Sequence, residues 1–165
     1  MAQKRKNPLN EAPDAIAMLL KDHKDVNALF RQFEKLHEAE EDTSRVIEFV
    51  RQALVLHSTL EKEIFYPAVR EAGGEEEEEL LDEAEVEHAS VDQLLRALRS
   101  RKLSRKKLEA TFTVVMEYVR HHVKEEETEM FPKVKKLKRV ALGKLGEKMQ
   151  ARRLALQKKM RMPPF

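Results

Sequence analysis

The feature that most constrains this chain is an internal repeat with an offset of 65 residues. Shifted by that distance, His23 falls on His88, Val26 on Val91, Leu29 on Leu94, His57 on His122, Glu61 on Glu126 and Pro67 on Pro132. His23 precedes His57 by 34 residues, and His88 precedes His122 by the same 34. Two copies of one supersecondary unit, each a helical hairpin, are the natural reading.

Hydrophobic periodicity assigns the segments. A first helix is expected over roughly 13–37, with Ile16, Leu19, Leu20, Val26, Phe30 and Phe33 inward, Pro13 in its first turn and Asn10 as a candidate cap. A second is expected over about 43–72, with Val46, Val50, Ala53, Leu54, Leu60 and Ile64 inward, kinked or ended near Pro67 and stopped by Gly73-Gly74. A third starts in the run Glu75–Glu79, whose charge suits a solvated helix N-terminus, and continues to about residue 100. A fourth runs from its cap Ser104 towards Pro132, and residues 133–161 read as a fifth, amphipathic helix. The expected fold is all-α, a four-helix bundle with an additional C-terminal helix. The expected divisions are a flexible segment over 1–12, the bundle over 13–132, and a basic helix and tail over 133–165.

Composition narrows the functional classes. The chain has 165 residues, enough for one domain with a real core, and its 41% apolar and 38% charged content suits a charged helical protein. With no Cys there can be no disulfide, thiolate zinc site, iron–sulfur cluster or cysteine nucleophile, and a cytoplasmic location is expected. Met1 to Pro13 lacks the apolar core of a secretory signal, and no apolar run is long enough to span a membrane. No Gly-rich phosphate loop is present. Residues 133–165 carry a net charge of +11, whereas residues 1–132 carry −9. The basic tail lacks interleaved aromatics and any DNA-binding motif, so nucleic acid is not the expected partner. Its stripe of Val134, Leu137, Leu145, Met149, Leu156 and Met160 should instead pack on the acidic bundle or on a partner chain, a homodimer included.

The chemistry lies in polar residues set inside apolar stripes. His23 follows Ile16 and Leu19; His57 and Glu61 follow Val50 and Leu54; His88 follows Leu81 and Ala84; His122 and Glu126 follow Val115 and Val119. Each of four helices thereby points a metal-competent side chain into the core. An ionised carboxylate there is costly unless paired or bound to a cation, and two close together also repel. His-x3-Glu puts imidazole and carboxylate one turn apart on one face. Four imidazoles and two carboxylates suit a pair of first-row metals with the carboxylates bridging.

This pattern, with its contexts Asp22-His23, Glu61-Lys-Glu-Ile-Phe-Tyr-Pro67 and Glu126-Glu-Thr-Glu-Met-Phe-Pro132, resembles the hemerythrin-like family, the HHE cation-binding domain, over about residues 14–134. The resemblance implies an up-down-up-down bundle holding two Fe ions, oxo- or hydroxo-bridged. Glu61 and Glu126 would be the bridging carboxylates, and His23, His57, His88 and His122 the terminal ligands. The oxygen carriers of the family place a further His one turn after the third-helix ligand, where this chain has Asp92. They also end on an Asp motif with one more residue of spacing, where this chain has His-x3-Glu. Fewer histidines leave open positions, with Asp92, Glu63, Glu125 and Tyr118 as nearby substitutes. Tyr118, one turn before His122, is the candidate catalytic phenol, its other reading being an ordinary core tyrosine. His37 and His121 have no repeat partner and are expected at the surface or behind a ligand.

Three functions are then open. The first is a redox-active di-iron protein that binds or reacts with O2, peroxide or nitric oxide, including catalase-like detoxification. The second is an iron- or oxygen-sensing module that signals through its basic C-terminal helix. The third, a bundle without metal, is disfavoured by the ligand set.

Overall fold

The computed structural model describes residues 13–100 and 102–160. The expected flexible segment 1–12 and the candidate cap Asn10 lie outside the described residues. The described elements are helices and connecting turns. Helix α1 (Ala15–Glu38) is followed by α2 (Ser44–Leu60), which passes through a π-helical turn (Glu61–Phe65) into α3 (Tyr66–Ala72). After Gly73-Gly74 comes α4 (Glu75–Ala97), then α5 (Arg105–Glu125), a second π-helical turn (Glu126–Met130) and α6 (Phe131–Val134). The last helix is α7 (Leu142–Met160).

Local chemistry sets the ends. Asp14 caps α1 through its side chain, which accepts from the Ala17 N–H at 2.8 Å. Ser104 accepts from the Lys107 N–H at the start of α5, as its sequence position predicts. Glu77 reaches back to the Gly74 N–H at 2.8 Å, so the Glu75–Glu79 run forms the first turn of α4.

Two apolar clusters fill the bundle, and a polar layer separates them. One holds Ile16, Leu19, Leu60, Phe65, Val69, Leu81, Phe131 and Val134; the other holds Val26, Phe30, Phe33, Val50, Leu54, Leu95, Phe112 and Val115. Along α1 the chain passes from the first cluster to the second, along α2–α3 from the second to the first, and it reverses again in α4 and in α5–α6. The helices therefore alternate in direction, which is the up-down-up-down bundle. His23, His57, His88 and His122 occupy the crossing point on their four helices, with Glu61 and Glu126 one turn on.

The two repeat-related prolines, Pro67 and Pro132, sit just after the π-helical turns. Pro67 and Pro132 have no N–H and cannot complete the α-helical ladder. In place of an α-helical bond, the Tyr66 N–H reaches the Glu61 carbonyl and the Phe131 N–H reaches the Glu126 carbonyl, five residues back. The expected break at Pro67 is thus a widened turn, and the helix continues beyond it to Ala72.

The fifth helix departs from the expected boundary. Residues 133–134 complete α6, a series of turns follows, and α7 begins at Leu142. Nothing in Lys135–Ala141 breaks a helix by propensity. Packing overrides it, because the turns lay Leu137, Val140 and Leu142 against the first cluster and send α7 back along α1 and α2. Leu145 and Met149 are buried there, so the tail's apolar stripe packs on its own bundle. Leu20, expected inward, is 37% exposed.

Gly146 sets how closely α7 approaches. A Cβ at this position would fall 2.1 Å from the Pro13 carbonyl oxygen, which is backbone and cannot swing away. Gly146→Ala should lower stability by about 1–3 kcal/mol in denaturant melts. Gly143→Ala, on the same helix with nothing within 4 Å of the new methyl, should change it little.

Candidate metal centre

The side chains of the polar layer are buried. His23, His57, Glu61, His88, His122 and Glu126 are each between 0% and 6% exposed. The two carboxylates link the two halves of the repeat. Glu61 Oε1 lies 3.1 Å from His57 Nε2 and its Oε2 lies 3.3 Å from His88 Nε2. Glu126 Oε2 lies 3.2 Å from His23 Nε2 and 3.5 Å from His122 Nε2. His88 Nε2 and His122 Nε2 are 2.9 Å apart.

The four imidazole–carboxylate approaches are short but poorly aligned as hydrogen bonds. His23 Nε2, both Glu61 oxygens and Glu126 Oε2 are buried with no hydrogen-bond partner. Buried polar atoms are rarely left so, because each loses its hydration without replacement. Atoms that converge yet do not bond to each other fit the donor set of a shared cation. They fall into two groups whose ligand atoms lie within 4.8 Å of one another: His23, His57, Glu61 and Glu126, and then Glu61, His88 and His122. Glu61 is common to both, whereas Glu126 belongs to the first.

The outer ring nitrogens are anchored by carboxylates. His57 Nδ1–H donates to Asp22 Oδ2 at 3.2 Å, His122 Nδ1–H to Glu87 at 2.7 Å, and His23 Nδ1–H to Glu127 at 2.9 Å. Each such bond fixes the tautomer and leaves the Nε2 lone pair facing inward, as a metal-binding histidine requires. Asp22 and Glu87 are related by the same offset of 65 as His57 and His122. The equivalent of Glu127 is Lys62, a donor, which turns away to pair with Asp92 at 2.7 Å. His88 Nδ1 is accordingly buried without a partner. The acidic residues beside the ligands in sequence, Asp22, Glu87 and Glu127, were the signal by which these anchors could have been found.

The phenol at the site is Tyr66, which sequence reading missed. Tyr118 is 47% exposed and correspondingly outside the buried layer. The Tyr66 hydroxyl lies 3.2 Å from His88 Nε2 and donates to Glu126 Oε1 at 3.0 Å. In an α-helix a residue five positions after Glu61 would point about 140° away from it. The π-helical turn closes on that fifth residue and brings Tyr66 back over the ligand face. Its repeat equivalent Phe131 stacks on His23, with ring centroids 5.8 Å apart, as Tyr66 packs on His88 at 5.6 Å.

The other candidates sit outside the layer. Glu63 pairs with Arg152 at 2.6 Å, His37 with Glu109 at 3.2 Å, and His121 with Glu125 at 3.1 Å. Asp92 lines a cavity on the second-cluster side of the histidines. The four imidazoles and Val26, Leu54, Val91, Leu95, Val119 and Val123 complete most of its wall. It offers about 30 Å³ to the centre of a water-sized molecule, which suits a species of two or three atoms.

The electrostatics suit a cation. Burial, and then the neighbouring charge of Glu126, push the Glu61 carboxyl up. Burial disfavours a charged His57, but Glu61 and Asp22 outweigh it and hold the imidazole well above its ordinary value. His122 is raised in the same way by Glu126 and Glu87 against its burial. His88 is driven down to about 2 by burial and by the charge of His122. Burial and the two carboxylates hold the Tyr66 phenol well above its ordinary value, so it keeps its proton.

The family model described as the hemerythrin HHE cation binding domain matches residues 14–134. Among solved structures, the chain is similar to a hemerythrin HHE cation binding domain-containing protein from Mycobacterium kansasii. That crystal structure shares 25% identity and covers 89% of each chain, with a TM-score of 0.72. No curated protein sequence matches.

A pH dependence follows. Without a cation, His57 and His122 hold protons above the ordinary histidine value of 6.5, and a metal must displace them. Apparent affinity for a divalent cation should therefore rise with pH through and above 6.5. Titration calorimetry in buffers of different ionisation enthalpy should show proton release on binding, and a pH-independent affinity with no release would contradict this assignment.

Proposed function

Because the chain belongs to the hemerythrin HHE cation-binding family, we propose that it is a non-haem di-iron protein that binds or reacts with O2, peroxide or nitric oxide. The observation that carries the reading is the set of buried, unpartnered donor atoms on His23, Glu61 and Glu126 beside a small apolar cavity. His23, His57, Glu61 and Glu126 would hold one iron, and Glu61, His88 and His122 the other. The mixed nitrogen and oxygen donors suit iron, which when bound supplies reversible electron exchange with small oxidants.

The chain's own residues do the rest. Asp22, Glu87 and Glu127 orient three of the imidazoles. The valines and leucines of the cavity would give a small uncharged molecule an apolar wall beside the histidines. Tyr66 presents a neutral hydroxyl between His88 and Glu126, where it can donate a hydrogen bond or a proton. A second reading, a sensor that signals through its C-terminal helix, draws support from the contact between Arg153 of α7 and Asp22.

Metal analysis of the freshly purified protein should give about two irons per chain, with near-ultraviolet bands that bleach on reduction. No iron after anaerobic loading would remove the proposal. His57→Ala and Glu126→Ala should each lose stoichiometric binding, so retention of two metals by either would refute the ligand assignment. Tyr66→Phe should keep both metals yet slow a proton-dependent reaction with peroxide by about 10²-fold or more. An unchanged rate would leave Tyr66 a packing residue.

A further inference from the structure

The fifth helix reaches the metal layer through one side chain. Arg153 donates from both terminal nitrogens to Asp22, at 2.7 Å to Oδ1 and 2.6 Å to Oδ2. The Arg153 side chain is 15% exposed and that of Asp22 is 11% exposed. Asp22 Oδ2 in turn accepts from His57 Nδ1, whose Nε2 faces Glu61. A planar guanidinium gripping both oxygens fixes the carboxylate plane as well as its position. That plane sets the angle at which the carboxylate meets His57.

Three further facts make this contact more than a surface ion pair. It belongs to one half of the repeat, because Glu87, the equivalent of Asp22, meets no such guanidinium among the described residues. It depends on the close approach of α7, which Gly146 permits against Pro13 and which buried Leu145 and Met149 secure. It also comes from outside the matched domain, since the family model ends at residue 134.

We infer that Arg153 is a positioning residue that orients His57 through Asp22, so that docking of α7 and occupancy of the metal centre stabilise one another. The inference rests on the metal-centre reading above. Bound metal holds His57, His57 holds Asp22, and Asp22 then offers Arg153 a fixed partner. By linkage the effect is reciprocal: the factor by which docked α7 tightens metal binding is the factor by which metal tightens docking.

The test uses the full chain with Fe(II) under anaerobic conditions. Affinity is read by competition with a chromogenic chelator, and hydrogen exchange over residues 142–160 is read by mass spectrometry with and without Fe(II). Wild type should show slower exchange in α7 when loaded. Arg153→Met should bind Fe(II) about 10–100-fold more weakly, the range for loss of an outer partner of a metal-binding histidine. It should also lose the metal-dependent protection of α7. Arg153→Lys, which keeps the charge but not the two-pronged grip, should recover part of both and decides the matter if the Met variant does not fold. Arg152→Met, which breaks the exposed pair with Glu63, should match wild type in both readouts. Wild-type affinity in Arg153→Met, or α7 exchange indifferent to Fe(II) in wild type, would overturn the inference while leaving the metal centre intact. A wild-type chain that takes up no Fe(II) would instead sink the metal reading, and the inference with it.

Discussion

Two carboxylates in the middle of an apolar bundle are the constraint on which the rest of this structure depends. Glu61 and Glu126 are 0% and 1% exposed, and burying even one ionised carboxylate costs several kcal/mol unless it is compensated. Imidazoles surround them, and three of those imidazoles lean on further acids. The carboxylates touching the four rings are Asp22, Glu61, Glu87, Glu126 and Glu127; among the described residues the guanidinium paired with that set is Arg153. So acidic a layer is poorly balanced by protons on histidine alone, since His88 resists protonation. Bound cations would resolve the imbalance, since the apolar clusters that flank the layer offer no further charged group among the described residues.

The π-helical turns show how the backbone serves that layer. Each begins at a core glutamate and ends just before the residue that precedes a proline. Proline makes the α-helical ladder costly to continue at that point, and widening the turn by one residue avoids the cost. The same widening rotates Tyr66 and Phe131 over the rings of His88 and His23. A local backbone remedy thus decides which aromatic groups cover the site, and it acts in both halves because both halves carry the same proline.

The repeat offset and the ligand spacing could be read from the sequence because both follow from periodicity, whereas the up-down-up-down order was implied by the family resemblance. The layer formed by His23, His57, Glu61, His88, His122 and Glu126 needed no tertiary information beyond antiparallel packing. Tyr66 was out of reach because α-helical periodicity points it away from Glu61, and nothing in the composition announces a π-helical turn. Tyr118, one α-helical turn before His122, was favoured by the same periodicity and lies on a half-exposed face. The start of α7 was equally hidden. Residues 135–141 have good helical propensity, and only packing against the first cluster turns them aside.

The departures from the repeat carry the most functional information, since whatever both halves share can be explained by the fold. Tyr66 stands where the other half has Phe131; it adds one hydroxyl and lies tilted at 53° to its histidine, where Phe131 stacks at 11°. Lys62 stands where the other half has Glu127, removing the acid behind one ring. Both changes fall on His88, whose Nδ1 is unpartnered and whose Nε2 meets the phenol. The opposite change falls on His57, whose acid is itself gripped by Arg153. The His57 ring is oriented from behind by a carboxylate and a guanidinium, whereas the His88 ring meets its polar neighbours, the Tyr66 hydroxyl and His122, through Nε2. The near-symmetric bundle therefore makes an asymmetric site, with an acid and a guanidinium behind His57 and neither behind His88, and side chains outside the ligand set create the difference.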